Sequence, residues 1–159
     1  MDLNIFHMHT HSALHCGTGQ SAGIVDLPIA RDRATNLPLV PGSSLRGVLR
    51  DELTNADAEI AEHLFGPRKI ERNDQSFAGA FSVGDANLLI LPVRSLAGIV
   101  AYATCPFILK QYSRDLRRDS SNTALAIPVP EENKALCGEN NQNKMDDNLL
   151  VLEDLDVSV

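Results

Sequence analysis

The chain has 159 residues, enough for one domain with a hydrophobic core or for part of a larger domain. Its net charge of −7 and its 43% of hydrophobic residues are ordinary for a soluble globular protein. No apolar run approaches the ~20 residues of a membrane span, and the N-terminus lacks the basic and apolar segments of a signal peptide. The three cysteines are Cys16, Cys105 and Cys137. They are too far apart for a zinc ribbon, so we expect reduced thiols, a cytoplasmic location and no membrane partner.

The negative charge is concentrated at the C-terminal end of the chain. Residues 131–159 carry 2 basic and 8 acidic side chains, whereas residues 81–130 carry 5 basic and 3 acidic ones. Because phosphate binding depends on the local basic surface, the total charge neither indicates nor excludes a nucleic-acid partner.

The N-terminal half predicts one strand, a long loop and two helices. Residues 3–14 alternate between apolar and polar side chains, a pattern that is typical of a strand. A loop rich in Gly and Pro follows over residues 16–42, and ordered loops of that length are usually functional. Ser43 or Ser44 is predicted to cap the first helix. A second helix is predicted from its cap Asp57 to Gly66.

The C-terminal half predicts three strands and one helix. The strands cover residues 79–93, bent at Gly84, residues 96–105 and residues 149–157, and the helix begins at Pro106. This order predicts an α+β, ferredoxin-like (RRM-like) palm with the long loop inserted after its first strand. We assign residues 1–130 to the palm, and residues 131–159 to an acidic polar loop and a final strand.

The run His7-Met-His9-Thr-His11 places three imidazoles on one face of the predicted first strand. Alternate residues of a strand lie ~6.6–6.8 Å apart, so two of these imidazoles can share a zinc ion. A metal-dependent hydrolase is therefore one hypothesis. The sequence has no HExxH motif to complete such a site, and the alternative is a half-exposed strand whose histidines pack or stack.

The long loop carries one carboxylate, Asp26, between apolar neighbours. Gly17, Gly19 and Gly23 allow a ligand to approach the backbone closely, and the helix start at residues 41–44 offers backbone N–H groups to a phosphate. The residues alone leave two interpretations of Asp26 open, a functional carboxylate and a turn residue that accepts hydrogen bonds from nearby N–H groups.

Two blocks of sequence resemble a known family. "LHCGTGQSAGIVDLPIARDRATNLPLVPGSSLRGVLRDEL" is similar to the N-terminal signature of the RAMP superfamily of CRISPR effector proteins. "GAFSVGDANLLILPVRSLAGIVAYATCPFIL" resembles the repeated backbone subunit of the type III-B (Cmr) complex in particular. Members of that family run to nearly twice this length, so we expect the palm to be incomplete here.

The resemblance implies a function for the long loop. Asp26 matches the aspartate that cleaves target RNA paired to the guide, with a divalent metal (Mg²⁺ or Mn²⁺) held at that carboxylate. The implied partners are guide RNA, target RNA, other subunits of the complex and copies of the chain itself along the guide. A non-catalytic, truncated subunit that acts as a scaffold or blocker is the alternative. The residues expected to contact RNA are His15, Gly17, Gly19, Ser43, Ser44, Arg46, Arg50 and Arg94.

Overall fold

The computed structural model describes residues 2–18, 28–67, 77–119, 124–145 and 148–159. The chain divides into two compact units. The helical unit is Met8–Asn87, and the sheet unit combines the residues up to His7 with Leu88–Val159. Within the described residues the structure has helices and antiparallel strands in both units, which confirms the predicted α+β class. A boundary between a palm and a C-terminal segment at residue 130 stays a prediction.

The helical unit contains two helices and a short two-stranded sheet. Strand β1 (Leu39–Val40) leads into α1 (Gly42–Ala56) and α2 (Ala58–Phe65), and β2 (Ala86–Asn87) returns antiparallel to β1. Helix α1 packs against α2, and Ala30, Ala61 and Phe65 are the buried apolar residues among those described in this unit.

Helix α2 begins and ends where the sequence predicts. The Asp57 carboxylate accepts hydrogen bonds from the N–H groups of Glu59 (3.1 Å) and Ile60 (3.0 Å), as an N-cap does. Gly66 follows the helix with a φ of 78°, in the left-handed region that glycine adopts most easily. Both predictions for this helix are confirmed.

The start of α1 differs from the prediction. Ser43 and Ser44 lie inside the helix, and the N-cap is Pro41, which has no side-chain cap. Instead, the N–H of Gly42 donates a 2.7 Å hydrogen bond to the carboxylate of Asp85. The predicted serine cap is wrong because a carboxylate 43 residues away in sequence performs the capping.

The sheet unit contains four antiparallel strands and one helix. Its elements are β3 (Leu91–Ser95), β4 (Ile99–Ala103), α3 (Pro106–Leu116), β5 (Leu149–Leu152) and β6 (Leu155–Ser158), with the strand order β4-β3-β5-β6. Strands β3 and β4 pair along their full length, whereas β3 meets β5 only where Ser95 faces Leu152. Ile108 of α3 and Leu150 of β5 are the buried apolar residues of this unit, and α3 starts at Pro106 as predicted.

The predicted strand over residues 3–14 is wrong. Among the described residues none from 3 to 14 lies in a strand or a β-bridge. An alternating pattern decides which side chains share a face, but a strand forms only when a neighbour accepts and donates its backbone hydrogen bonds. The apolar face predicted for this strand is instead exposed, and the Phe6 side chain is 82% exposed.

Two other strand predictions need correction. The segment predicted as one strand over residues 79–93 contains β2 and the start of β3 as separate strands. Its first residues are not in a strand, because the N–H groups of Ala80 and Phe81 donate to carbonyls of α2. The final segment forms a hairpin, since Glu153 has a φ of 52° and turns the chain between β5 and β6. No helix in the described part of the chain is long and apolar enough to span a membrane.

Candidate nucleic-acid interface

A cavity of about 550 Å³ in the helical unit brings three of the predicted RNA contacts together. Ser43, Arg46 and Arg50 of α1 line it. These residues are spaced by three and four positions, so they share one face of the helix. The end of α2 and the segment Phe77–Val83 complete the lining among the described residues. We call this cavity the arginine groove. Ser44, also predicted to contact RNA, does not line it.

Both arginines of the groove are held by the end of α2. Arg46 donates from Nη2 to the carbonyl oxygen of Phe65, and Arg50 donates from Nη2 to that of Gly66 at 2.5 Å. Cations stabilise the carbonyl end of a helix, where the last acceptors lack partners in the helix itself. The Arg46 guanidinium also lies 5.9 Å from the centre of the Phe65 ring, within the range of a cation–π interaction.

The arginines keep further donors for a ligand. A guanidinium has five N–H donors, and within the described residues each of these two donates one hydrogen bond. Arg46 and Arg50 were predicted to contact RNA, but their contacts with α2 were not predicted. The structure gives them two roles in one position, since the same side chains fasten α1 to α2 and present positive charge to the groove.

The segment Phe77–Val83 is fixed along the end of α2. The N–H of Ala80 donates to the carbonyl of His63 (3.1 Å), and that of Phe81 donates to the carbonyl of Leu64 (2.9 Å). A Cβ on Gly79 would lie 2.4 Å from the Leu64 oxygen, so only glycine allows this approach. The segment therefore holds the Phe81 ring at the groove.

Two aromatic side chains of the groove were missed by sequence reasoning. Phe77 is 45% exposed and Phe81 is 39% exposed. The Phe81 ring packs edge-to-face on the buried Phe65 ring, with centroids 5.9 Å apart and planes at 86°. Single phenylalanines in a polar stretch give little signal in a sequence, because no periodic pattern connects them to α1.

The N-terminus of α1 is occupied by a carboxylate in this structure. The sequence predicted N–H groups free to hold a phosphate there, but the N–H of Gly42 is bonded to Asp85. A negative side chain at this end of a helix interacts favourably with the helix dipole. The positive charge offered to a phosphate therefore comes from the arginine side chains rather than from this N–H group.

The ends of the predicted catalytic loop are joined by hydrogen bonds. Gly17 and Ile29 form an antiparallel bridge, the N–H of Thr18 donates to the carbonyl of Pro28 (3.1 Å), and that of Ala30 donates to the carbonyl of Cys16 (2.7 Å). The loop thus leaves and re-enters the helical unit at one place. Its predicted catalytic and metal-binding residue Asp26, together with Gly19 and Gly23, lies outside the described residues. His15 is exposed just before the bridge.

Asp32, the second aspartate of the loop, serves its own turn. Its carboxylate accepts hydrogen bonds from the N–H groups of Thr35 (2.7 Å) and Ala34 (2.8 Å) and from the Thr35 hydroxyl (3.0 Å). These bonds, above all the one from the Thr35 N–H, lower the pKa of Asp32. Asp32 is therefore a turn residue of the kind that the sequence analysis left open for Asp26.

Arg94 lies in the sheet unit and is paired with a carboxylate. Its side chain, 84% exposed, donates to Glu153 from Nε (2.9 Å) and from Nη2 (2.6 Å). The backbone N–H groups of the two residues also donate, that of Arg94 to the Glu153 carboxylate and that of Glu153 to the Arg94 carbonyl, both at 3.0 Å. The hydrogen bond to Glu153 raises the pKa of Arg94, and those from Arg94 lower the pKa of Glu153. This pair was not predicted, because the two residues lie 59 positions apart in the chain.

The histidine run is divided between the two units. His7 Nε2 lies 2.7 Å from the Tyr112 hydroxyl within the sheet unit. His9 and His11 lie in the helical unit with their ring centroids 4.9 Å apart. Among the described residues, no three or more His, Cys, Asp or Glu side chains form a group that could hold a metal ion. In the structure, His7 pairs with Tyr112, and the rings of His9 and His11 stack on each other.

A family model, that of the RAMP superfamily, matches residues 7–150 of this chain. The chain belongs to the RAMP superfamily. The match confirms the resemblance carried by the two sequence blocks. It includes parts of both units and every residue predicted to contact RNA.

Relatives within the RAMP superfamily are named as CRISPR endoribonucleases. The chain is 44% identical over 112 residues to the CRISPR system Cmr endoribonuclease Cmr4 of Pyrococcus furiosus, a match that covers 69% of this chain and 37% of that protein. It is 27% identical over 165 residues to the CRISPR system Cms endoribonuclease Csm3 of Streptococcus thermophilus, covering 90% of this chain and 71% of the relative.

A solved structure shares the fold. The crystal structure of oligomeric Cmr4 from Pyrococcus furiosus matches with a TM-score of 0.70 and 37% identity, over 84% of this chain and 49% of that one. The chain thus spans less than half the length of both Pyrococcus proteins. This likeness confirms the ferredoxin-like α+β fold of the RAMP superfamily for the part that the chain covers.

Proposed function

We propose that this RAMP protein is an RNA-binding backbone subunit of a type III-B CRISPR effector complex and cleaves target RNA paired to the guide. The observation that carries the proposal is the 44% identity to a Cmr endoribonuclease over 69% of the chain. Its partners are then guide RNA, target RNA, the other subunits of the complex and copies of itself along the guide.

The arginine groove supports the RNA-binding part of this proposal. Arg46 and Arg50 present guanidinium donors from one face of α1, and a guanidinium matches the geometry of phosphate oxygens. Their bonds to the end of α2 hold both side chains in place. Less conformational freedom is therefore lost when a phosphate binds.

The bridge between residues 16–18 and 28–30 supports the catalytic part. The bridge fixes the two points at which the loop leaves and re-enters the helical unit, and catalysis needs its reacting groups held in position. In our proposal Asp26 takes the proton of the target 2′-hydroxyl, and the 2′-oxygen attacks the adjacent phosphorus in line. The bond to the 5′-oxygen breaks, and that oxygen gains a proton. A divalent cation, Mg²⁺ or Mn²⁺, held by Asp26 would supply positive charge beside the phosphate.

The RNA-binding part is tested by the dependence of guide affinity on salt. Affinity falls as salt rises, with a slope set by the number of phosphates that the protein neutralises. Arg46→Ala should reduce that slope by about one unit. Arg114→Ala is the matched control, because Arg114 is an exposed arginine of α3 beside Asp115 in the sheet unit. Equal slopes for wild type and Arg46→Ala would show that Arg46 does not contact phosphate.

A further inference from the structure

We propose that the arginine groove binds one nucleotide of the guide by its base as well as by its phosphate. Phe77 and Phe81 offer the faces for the base, while Arg46 and Arg50 hold the phosphate. This inference rests on the RNA-binding function proposed above and adds a base site to it. Neither the family match nor the relatives assign one.

The groove lining combines positively charged and aromatic side chains. Among the described residues that line it, Arg46 and Arg50 are the only charged ones, so these residues give the lining two positive charges although the chain carries a net charge of −7. The lining also includes the partly exposed rings of Phe77 and Phe81. A ligand that complements both features has an anionic group and a flat ring, and a nucleotide has both.

The volume of the groove suits a single nucleotide. The groove has a volume of about 550 Å³, within the range of ~300–1,000 Å³ that binding pockets for small molecules occupy. A single nucleotide fits a space of this volume. Proteins that recognise single-stranded RNA commonly receive its bases on aromatic side chains.

Phe81 and the two arginines are held in position by the protein itself, without a bound ligand. Phe81 is fixed by its N–H bond to Leu64 and by its edge-to-face contact with the buried Phe65 ring. The arginines are fixed by the carbonyls of Phe65 and Gly66. One short stretch, the end of α2, thus orients both the aromatic and the cationic wall.

The base site should accept any base. Every base has a π-face, so stacking on aromatic rings depends little on sequence. The groove lining includes two serines, Ser43 and Ser82. Because a hydroxyl can both donate and accept a hydrogen bond, these side chains do not select one kind of base. Such tolerance suits a backbone subunit that must bind guides of any sequence.

The test uses the full chain and a labelled single-stranded RNA that carries a photoreactive uridine. Phe81→Leu keeps an apolar side chain but removes the ring face, and should weaken RNA binding about fivefold or more. Phe81→Tyr restores the ring and should restore affinity. Phe107→Leu is the matched control, because Phe107 is an exposed phenylalanine of α3 in the sheet unit and its change should leave affinity as it is.

Two further readouts separate this inference from RNA binding in general. Irradiation should crosslink the photoreactive base to the peptide that contains Phe77 and Phe81. Uridine monophosphate should compete with RNA better than inorganic phosphate does for the wild type, and no better for Phe81→Leu. Circular dichroism checks that the variants remain folded, and the crosslink on the wild-type chain does not depend on any variant.

The possible results are distinct. If RNA binds and Arg46→Ala reduces the salt dependence, but Phe81→Leu binds like wild type and the crosslink lies elsewhere, the base site is refuted and the phosphate contact stands. If uridine monophosphate and inorganic phosphate compete equally well with RNA for the wild-type chain, the groove is a phosphate site only. This result also refutes the inference. If the wild-type chain binds no RNA, both the base site and the RNA-binding function are refuted.

Discussion

Two glycines of α1 should respond in opposite ways to the same substitution. Gly42, the first residue of the helix, is buried. A Cβ there would lie 2.5 Å from the carbonyl oxygen of Val83 and 2.7 Å from the carbonyl carbon of Gly84. Both are backbone atoms and cannot rotate away. A Cβ on Gly47, in the same helix, would meet no atom of the described residues within 4 Å beyond its chain neighbours and the backbone of its own helix.

The magnitudes follow from these distances. Gly42→Ala forces the start of α1 away from Val83 and Gly84, and overpacking of this kind lowers the free energy of unfolding by about 1–3 kcal/mol. The same displacement stretches the hydrogen bond from Gly42 to Asp85, a loss of ~1.5–3 kcal/mol at most for a bond to a charged group. Gly47→Ala should instead add ~0.5–1 kcal/mol, because alanine loses less backbone entropy in a helix than glycine does.

The assay is urea unfolding of both variants followed by far-ultraviolet circular dichroism. If unfolding is induced by heat instead, a change of about 1 kcal/mol in the free energy of unfolding should move the midpoint temperature by roughly 2–4 °C in a chain of this size. Gly42→Ala should lower the midpoint and Gly47→Ala should raise it. A Gly42→Ala variant as stable as the wild type would mean that the close approach of α1 to Val83 and Gly84 is not a constraint, and the proposed packing of the groove would be wrong.

Two smaller predictions concern single contacts. Asp57→Ala removes the cap of α2 and should lower the free energy of unfolding by about 1 kcal/mol. Asp57→Asn can still cap the helix and should lower the free energy of unfolding by less, and urea unfolding of the two variants measures the difference. Because hydrogen bonds from Arg94 lower the pKa of Glu153, the pair stabilises the fold above the ordinary glutamate pKa, and this contribution is lost as pH falls through the lowered value. Glu153→Gln should therefore be slightly less stable than wild type at neutral pH, and the difference should shrink as pH falls below the ordinary glutamate pKa; a difference that stays constant into acid would contradict the pairing.

Local features of the fold could be predicted from the sequence. The cap Asp57, the terminator Gly66 and the helix start at Pro106 all act through neighbours within a few residues, so their patterns are visible in the chain. Arg46 and Arg50 could be placed on one helix face for the same reason.

Contacts between distant residues could not be predicted. The capping of Gly42 by Asp85 joins residues 43 apart, and the Arg94–Glu153 pair joins residues 59 apart. The strand predicted over residues 3–14 failed for a related reason, since alternation is a property of the segment whereas pairing depends on a neighbour. The aromatic wall of the groove likewise exists only because the Phe77–Val83 segment runs along α2.

The most direct test of the account is target-RNA cleavage by a reconstituted complex with guide and Mg²⁺. The comparison is between the wild-type chain, Asp26→Ala and Asp32→Asn. Asp32→Asn is the matched control, because Asp32 lies in the same loop region but its carboxylate is bonded within its own turn, a role that asparagine also fills.

The account predicts regularly spaced cuts with the wild type and with Asp32→Asn. Asp26→Ala should bind the target and leave it uncut. Cuts that persist in Asp26→Ala would contradict the catalytic role of Asp26. An intact target with every form of the chain in an assembled complex would mean that this RAMP protein is a scaffold or a blocker rather than a nuclease.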